Sequence, residues 1–255
     1  MLNFENKTVL ITGASRGIGA AIARLFAENG ANVAINYWSA ADSVNPTAAQ
    51  DLLLDIKSSG GRAQIYNADI SNSIHVSKMI EAIAEDFGEI THLIFNAFIP
   101  FQPKAMLDYE WEEFNKKVSS DIKSNFILAK AVLPSMVKNK FGVVIGISSG
   151  LSRYPGSHFS PYSISKAALN SFIRSISFEY GKDGIRANII APGFTSTDPN
   201  QHVAVSERQA IANMTPLRRT AEPIDIAKSV LLLASDYAQF VTGGYVPVDG
   251  GFTMV

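Results

Sequence analysis

The chain has no cysteine among its 255 residues, which excludes disulfides, thiolate nucleophiles and sulfur-ligated zinc. No charge sign dominates: 22 Lys and Arg stand against 23 Asp and Glu, for a net charge of -1. With no basic block either, nucleic acid is not expected as a partner. No apolar run approaches the roughly 20 residues that span a bilayer. The start, MLNFENKT, lacks the charged-then-apolar layout of a signal peptide. Histidine is scarce, and His75, His92, His158 and His202 show no metal-ligand spacing. No repeat, low-complexity tract or linker interrupts the chain. A cytoplasmic protein without membrane, metal or nucleic-acid partner is the expectation. What is abundant is apolar mass, 47% of residues, enough for a large core without covalent staples. One domain over 1–255 is the simpler reading of that length.

Short apolar runs alternate with helix-periodic segments throughout. Strands are expected at 9–11, 32–36, 63–67, 92–96, 143–148, 186–191 and 244–248. Helices are expected at 20–27, 47–59, 73–87, 109–138 with an interruption near Pro134, 163–180 and 225–234. The pattern predicts an α/β fold: a Rossmann-type doubly wound domain, with a mostly parallel seven-stranded sheet covered by helices on both faces. Two irregular stretches, 97–108 and 193–213, follow strands and are long for their kind. Ligands of open α/β sheets sit beyond the carboxyl ends of the strands, so these stretches are expected to wall a substrate pocket. In the second, Phe194, Val203, Val205 and Ile211 argue against a solvent loop.

The stretch 8–19, TVLITGASRGIG, joins a buried strand to a helix through Gly13, Ser15, Arg16, Gly17, Ile18 and Gly19. Backbone N–H groups and the dipole of a helix N-terminus form an anion site, and glycines there allow the backbone close to a pyrophosphate. After the second strand the chain reads Asn36-Tyr37-Trp38-Ser39, with no acid before Asp42. An acid would hold a ribose 2′-hydroxyl, whereas a cation accepts a 2′-phosphate. Uncharged Tyr37 and cationic Arg16 therefore favour NADPH/NADP over NAD. Trp38 could stack on adenine or cover the sheet edge. Asp69 could accept from the adenine amino group or cap the next helix.

Ser149, Tyr162 and Lys166 form the candidate chemical centre. Tyr162 and Lys166 are four apart at a helix start and share a face. A free tyrosine has a pKa of about 10. A neighbouring ammonium is expected to lower it, so that Tyr162 exchanges a proton with a carbonyl oxygen while Ser149 polarises that oxygen. Apolar Phe98, Ile99, Phe101, Phe159 and Phe194 suit a hydrophobic substrate or core packing alike. His158, four residues before Tyr162, reads as a surface-loop residue, and Glu81, Glu85 and Asp86 as a solvated helix face.

These motifs resemble those of the short-chain dehydrogenases/reductases, most closely the 3-oxoacyl-[acyl-carrier-protein] reductases. The resemblance rests on Thr12 to Gly19, on Ser149 with Tyr162-Ser163-Ile164-Ser165-Lys166, on Asn188 to Gly193 with Thr197, and on Asp249-Gly250-Gly251. It implies hydride transfer with NAD(P)(H) between a ketone and an alcohol, on a small-molecule or carrier-bound substrate, in a homotetramer packed through 109–138 and 163–180. It makes Ser149 the substrate-orienting group, Tyr162 the acid/base and Lys166 the residue that holds the nicotinamide ribose. It adds Asp69, Ile70, Asn96, Ala97, Pro192, Gly193, Thr195 and Thr197 to the cofactor contacts. Two positions depart from the family. Phe95-Asn96-Ala97-Phe98 stands where Asn-Asn-Ala-Gly is usual, and Asp121 stands where a catalytic asparagine supplies a main-chain carbonyl to a water relay. Asp121 keeps that carbonyl, and its carboxylate is expected to favour charged Lys166. Two rival functions stay open: an NAD-dependent alcohol or sugar dehydrogenase, and a catalytically silent NADP(H)-binding sensor.

Overall fold

The strands Thr8–Ile11 (β1), Asn32–Tyr37 (β2), Arg62–Asn67 (β3), His92–Phe95 (β4), Gly142–Ile147 (β5), Ile185–Pro192 (β6) and Tyr245–Val248 (β7) alternate with helices. The helices are Gly17–Glu28 (α1), Val44–Ser58 (α2), Ser73–Phe87 (α3), Trp111–Lys138 (α4), Ser160–Tyr180 (α5), Val205–Met214 (α6) and Pro223–Ala234 (α7). This is a computed structural model, and it describes residues 2–39, 44–197 and 203–254. The strands form one sheet of order β3-β2-β1-β4-β5-β6-β7, and every neighbouring pair is parallel.

Side chains of successive strand residues point to opposite faces, so a sheet with two apolar faces needs near-continuous apolar strands. β1 shows this directly. Val9 and Ile11 pack into a cluster with Ile22, Phe26, Leu52, Ile226 and Val230, from α1, α2 and α7. Leu10 packs on the other face with Val76, Ile83, Leu128, Val132, Leu169 and Ile173, from α3, α4 and α5. The chain winds outward from β1 to β3, then crosses back to β4 on the other side of β1. Loops leaving β1 and β4 therefore diverge, and the crevice between them is the fold's ligand position.

Three local expectations are corrected. The stretch 193–213 is not irregular throughout: α6 occupies its second half. That helix buries only Ala212, so it carries little apolar periodicity to read. Val205, expected to be covered, is exposed, while Val203 and Ile211 are half-buried. α4 also runs unbroken through Pro134. A helix-interior proline removes one hydrogen bond, and here Leu128, Val132, Leu133 and Met136 bury the surrounding turns and hold the helix together. Residues 40–43 and 198–202, including Asp42 and His202, lie outside the described residues.

Two polar side chains, half-buried Arg186 and buried His92, fasten the far side of the sheet. Arg186 donates to the carbonyls of Leu233, Ala234 and Ser235, at 2.9, 3.2 and 3.2 Å, satisfying orphan acceptors at the end of α7. His92 sits among the rings of Phe4, Phe26 and Phe141, and burial pushes its pKa down to about 3. Among the described residues no helix is long and apolar enough to cross a membrane.

Candidate active site

The crevice is stitched together by short polar side chains. Thr12 Oγ1, just beyond β1, accepts from the backbone N–H of Asn96 and Ala97 at 3.0 and 3.1 Å. Asn96 Nδ2 donates back to the carbonyls of Thr12 and Gly13 at 2.9 and 3.0 Å. Asn36, from β2, accepts from Gly13 N and donates to the Ala68 carbonyl, tying in the loop after β3. Asn36 gives no sequence signal of this bridging role, because its partners are backbone atoms of the turns that follow β1 and β3.

The glycines of the turn have unequal reasons for being glycine. A Cβ on Gly19 would lie 2.6 Å from Asn96 Nδ2 and 2.7 Å from the Gly13 carbonyl. One on Gly13 would lie 2.8 Å from Ala97 Cα, and Gly13 also has φ +60°. These two are demanded by the protein's own packing. Gly17 has φ +59° and only Thr197 nearby, at 3.5 Å, so its bare Cα faces more open space. The N-cap of α1, Arg16, offers no side-chain cap, which leaves first-turn N–H groups available to an anion. A cleft of about 410 Å³ opens there, lined by Ser15, Arg16, Gly17, Ser196 and Thr197 among others. An uncapped helix start, a positive-φ glycine and an adjoining cleft fit the pyrophosphate of a dinucleotide.

Of the remaining candidates for that half, Ser15 is buried and donates to Asn45 Oδ1, while Arg16 is exposed. Tyr37 ends β2, and the Trp38 ring lies 5.5 Å from the His75 ring. Asp69 does not cap α3. Its carboxylate accepts from Ser71 N and Oγ at 2.8 and 2.7 Å, and Asn72 is the cap, accepting from Ile74 and His75 N–H. The loop after β6 approaches from the other side. Pro192 ends the strand, Gly193 N donates to the Val248 carbonyl, and buried Thr195 donates to the Gly193 carbonyl at 3.1 Å.

At the chemical end, Ser149 lies two residues beyond β5, while Tyr162 and Lys166 occupy successive turns at the start of α5. Lys166 is buried, and its Nζ donates to the Ile147 carbonyl at 2.7 Å. Burial lowers its pKa to about 8, with Asp121 acting to raise it and Lys117 to lower it. The expectation for Tyr162 is overturned. Its pKa is raised rather than lowered, because burial disfavours the phenolate more than the hydrogen-bonded Ser149 hydroxyl favours it. The phenol is surrounded by rings: Phe98, Phe101 and Phe159 have centroids 5.9, 5.7 and 6.3 Å away, with Phe101 parallel to it. His158 is exposed and bonded to Ser157. Asp86 is less idle than a solvated face implies, since Tyr66 donates to it at 2.6 Å.

Asp121 faces the site, with a partner the sequence reading missed. Its carboxylate pairs with Lys117 Nζ at 2.8 Å, one helical turn earlier on α4. The i,i+4 spacing was visible in the chain, but such pairs usually lie in solvent, and this lysine side chain is only 2% exposed. The expected help from Asp121 to charged Lys166 has the expected sign, yet burial outweighs it. A cavity of about 20 Å³, room for about one water molecule, is lined by Asp121, Asn125, Ser165, Lys166 and Ile70 among others. Tyr245 was also missed: its hydroxyl donates to the Ser149 carbonyl at 3.2 Å, and only strand pairing brings it there.

Known proteins resemble the chain over nearly its whole length. Residues 13–253 match a family model described as enoyl-(acyl carrier protein) reductase. The chain is 34% identical to the 3-oxoacyl-[acyl-carrier-protein] reductase FabG of Escherichia coli over 254 residues, covering 100% of both chains. It is 35% identical to the 3alpha-hydroxysteroid dehydrogenase of Mediterraneibacter gnavus, over 96% of each chain. It is 33% identical to the 2,5-dichloro-2,5-cyclohexadiene-1,4-diol dehydrogenase LinX of Sphingobium indicum, over 97% of this chain and 96% of that one. The chain belongs to the short-chain dehydrogenase/reductase family, oxidoreductases that use a nicotinamide cofactor on CH–OH and C=O groups.

Proposed function

We propose that the protein is an NADPH-dependent carbonyl reductase that converts a ketone to a secondary alcohol, with a 3-oxoacyl thioester as its substrate class. The observation that carries this is the cluster of Ser149, Tyr162 and Lys166, at the same carboxyl edge of the sheet as the uncapped start of α1. When bound, the nicotinamide cofactor supplies the hydride. Tyr162, held protonated at neutral pH by burial, donates its proton to the carbonyl oxygen, and Ser149 orients that oxygen. Lys166 holds the ribose, and a water in the cavity beside Asp121 and Asn125 links it to solvent through the Asp121 main-chain carbonyl. Ser15, Arg16, Gly17, Ile18 and Gly19 bind the phosphates. Tyr37, Trp38, Asp69, Ile70, Asn96 and Ala97 line the adenosine side, and Pro192, Gly193, Thr195 and Thr197 the nicotinamide side. Exposed Arg16, and uncharged Tyr37, Trp38 and Ser39 at the end of β2, support the phosphorylated cofactor. Exposed Ile122 and Phe126 on α4, with Ile164 and Phe178 on α5, support a homotetramer through those helices.

A second reading, oxidation of a cyclic alcohol, is favoured by the aromatic wall around Tyr162 and by the names of two relatives. The test follows NADPH and NADH absorbance with acetoacetyl, enoyl, cyclic-ketone and steroid-ketone substrates. The proposal expects NADPH oxidation on the acetoacetyl thioester, and a loss of about 10²- to 10⁴-fold in Tyr162→Phe. Full activity in that variant would overturn it. Tight NADPH binding without turnover on any ketone would favour the silent sensor.

A further inference from the structure

Lys117 has no place in the chemistry just described, yet its side chain is buried in the site beside that of Lys166. Its Nζ pairs with Asp121 at 2.8 Å and donates to the Ile99 carbonyl at 2.6 Å. It also lies 4.4 Å from the centre of the Phe98 ring, 5.7 Å from that of Phe101 and 5.6 Å from that of Tyr162. A buried ammonium is costly unless its protons are taken up, and here a carboxylate, a carbonyl and ring faces surround it. The acceptor in the loop is the unusual part. Ile99 belongs to an irregular segment with no helix or strand of its own, so its backbone has few other ties. Phe98 and Phe101 flank it and meet edge-on at 6.3 Å.

We propose that Lys117 is a positioning residue for substrate selection: anchored by Asp121, it clamps the Ile99 carbonyl to α4 and holds Phe98 and Phe101 as a fixed apolar wall over Tyr162. The proposal rests on the reading of Tyr162 as the proton donor. Residue types at 98 and 101 set what the wall is made of, and the ammonium sets where it stands. The substrate class that fits is a ketone carrying a flat or extended apolar arm, which lies along the rings while its oxygen meets Tyr162.

Steady-state rates would be measured on a phenyl-substituted ketone and on butan-2-one for the parent, Lys117→Met, Lys117→Arg and Phe101→Ala. An aromatic contact of this kind is worth roughly threefold to tenfold in binding. Lys117→Met is expected to raise KM for the phenyl ketone by about that factor, with kcat little changed and butan-2-one unaffected. Lys117→Arg, which keeps a donor for Ile99, is expected to fall between. Phe101→Ala, on the loop, reproduces the KM effect even where Lys117→Met fails to fold, and adding Lys117→Met to it has no further effect. A KM for the phenyl ketone at the parent value in Phe101→Ala, or equal losses on both ketones in Lys117→Met, would overturn the proposal. The parent and Tyr162→Phe separate the two levels: should neither reduce any ketone, the reading of the reaction fails. Should only Tyr162→Phe lose activity while the wall variants match the parent, the positioning role alone fails.

Discussion

Replacing Asp121 with asparagine separates the carboxylate from the backbone carbonyl at the same position. The side chain is 13% exposed and the Lys117 side chain 2%, so the change leaves a buried ammonium with the Ile99 carbonyl as its main acceptor. Breaking a buried pair in this way costs about 3–5 kcal/mol. Lys117→Met in the same chain removes the orphaned charge and is expected to recover most of that loss. The kinetic effect has a defined sign. Asp121 raises the pKa of Lys166, which lies at about 8, and it also raises that of Tyr162. Without the carboxylate both groups lose their protons at lower pH. The alkaline limb of kcat/KM for ketone reduction, which reports the free enzyme, is expected to move toward acid. Turnover below that limb persists, because asparagine keeps the main-chain carbonyl. Urea unfolding and a pH profile of kcat/KM on parent, single and double variants make the test. A limb that stays in place or moves toward alkali, in a variant that has lost stability as stated, would refute the electrostatic argument. Inactivity at every pH in a folded variant would show that the carboxylate itself takes part in the reaction.

Gly19→Ala and Gly17→Ala are expected to differ. The first drives a Cβ to 2.6 Å from Asn96 Nδ2 and costs about 1–3 kcal/mol of stability by overpacking, with weaker NADPH binding. The second meets no close atom and costs about 1–2 kcal/mol through its positive φ alone; urea unfolding and fluorescence titration distinguish them, and equal stability of parent and Gly19→Ala would contradict the packing argument. His92 is buried neutral with a pKa of about 3 against an ordinary 6.5. The unfolded chain therefore binds the proton first, and stability is lost as pH falls from about 6.5 toward 3. His92→Leu is expected to flatten that part of the profile in urea titrations between pH 4 and 7; a slope identical to the parent's would place the acid sensitivity elsewhere.

The parts of this protein that were readable from its residues are those set by neighbours in the chain. Val9, Leu10 and Ile11 announce a strand buried on both faces because both of its side-chain sets are apolar. Gly13 to Gly19 announce a turn from a strand into a helix start, and the four-residue spacing of Tyr162 and Lys166 puts them on one face whatever they pack against. Helix α6 escaped notice because one buried alanine leaves almost no period. Tertiary structure decided the rest through the low polarity of a packed interior. It raised the pKa of Tyr162 where a lowered one was expected, since burial outweighs its one helpful hydrogen bond. It converted the ordinary pair of Lys117 and Asp121 into a buried one, and it brought Tyr245 and Asn36 to the site through strands far apart in sequence. Local periodicity says which face a side chain takes; only the folded arrangement says how much water that face has left.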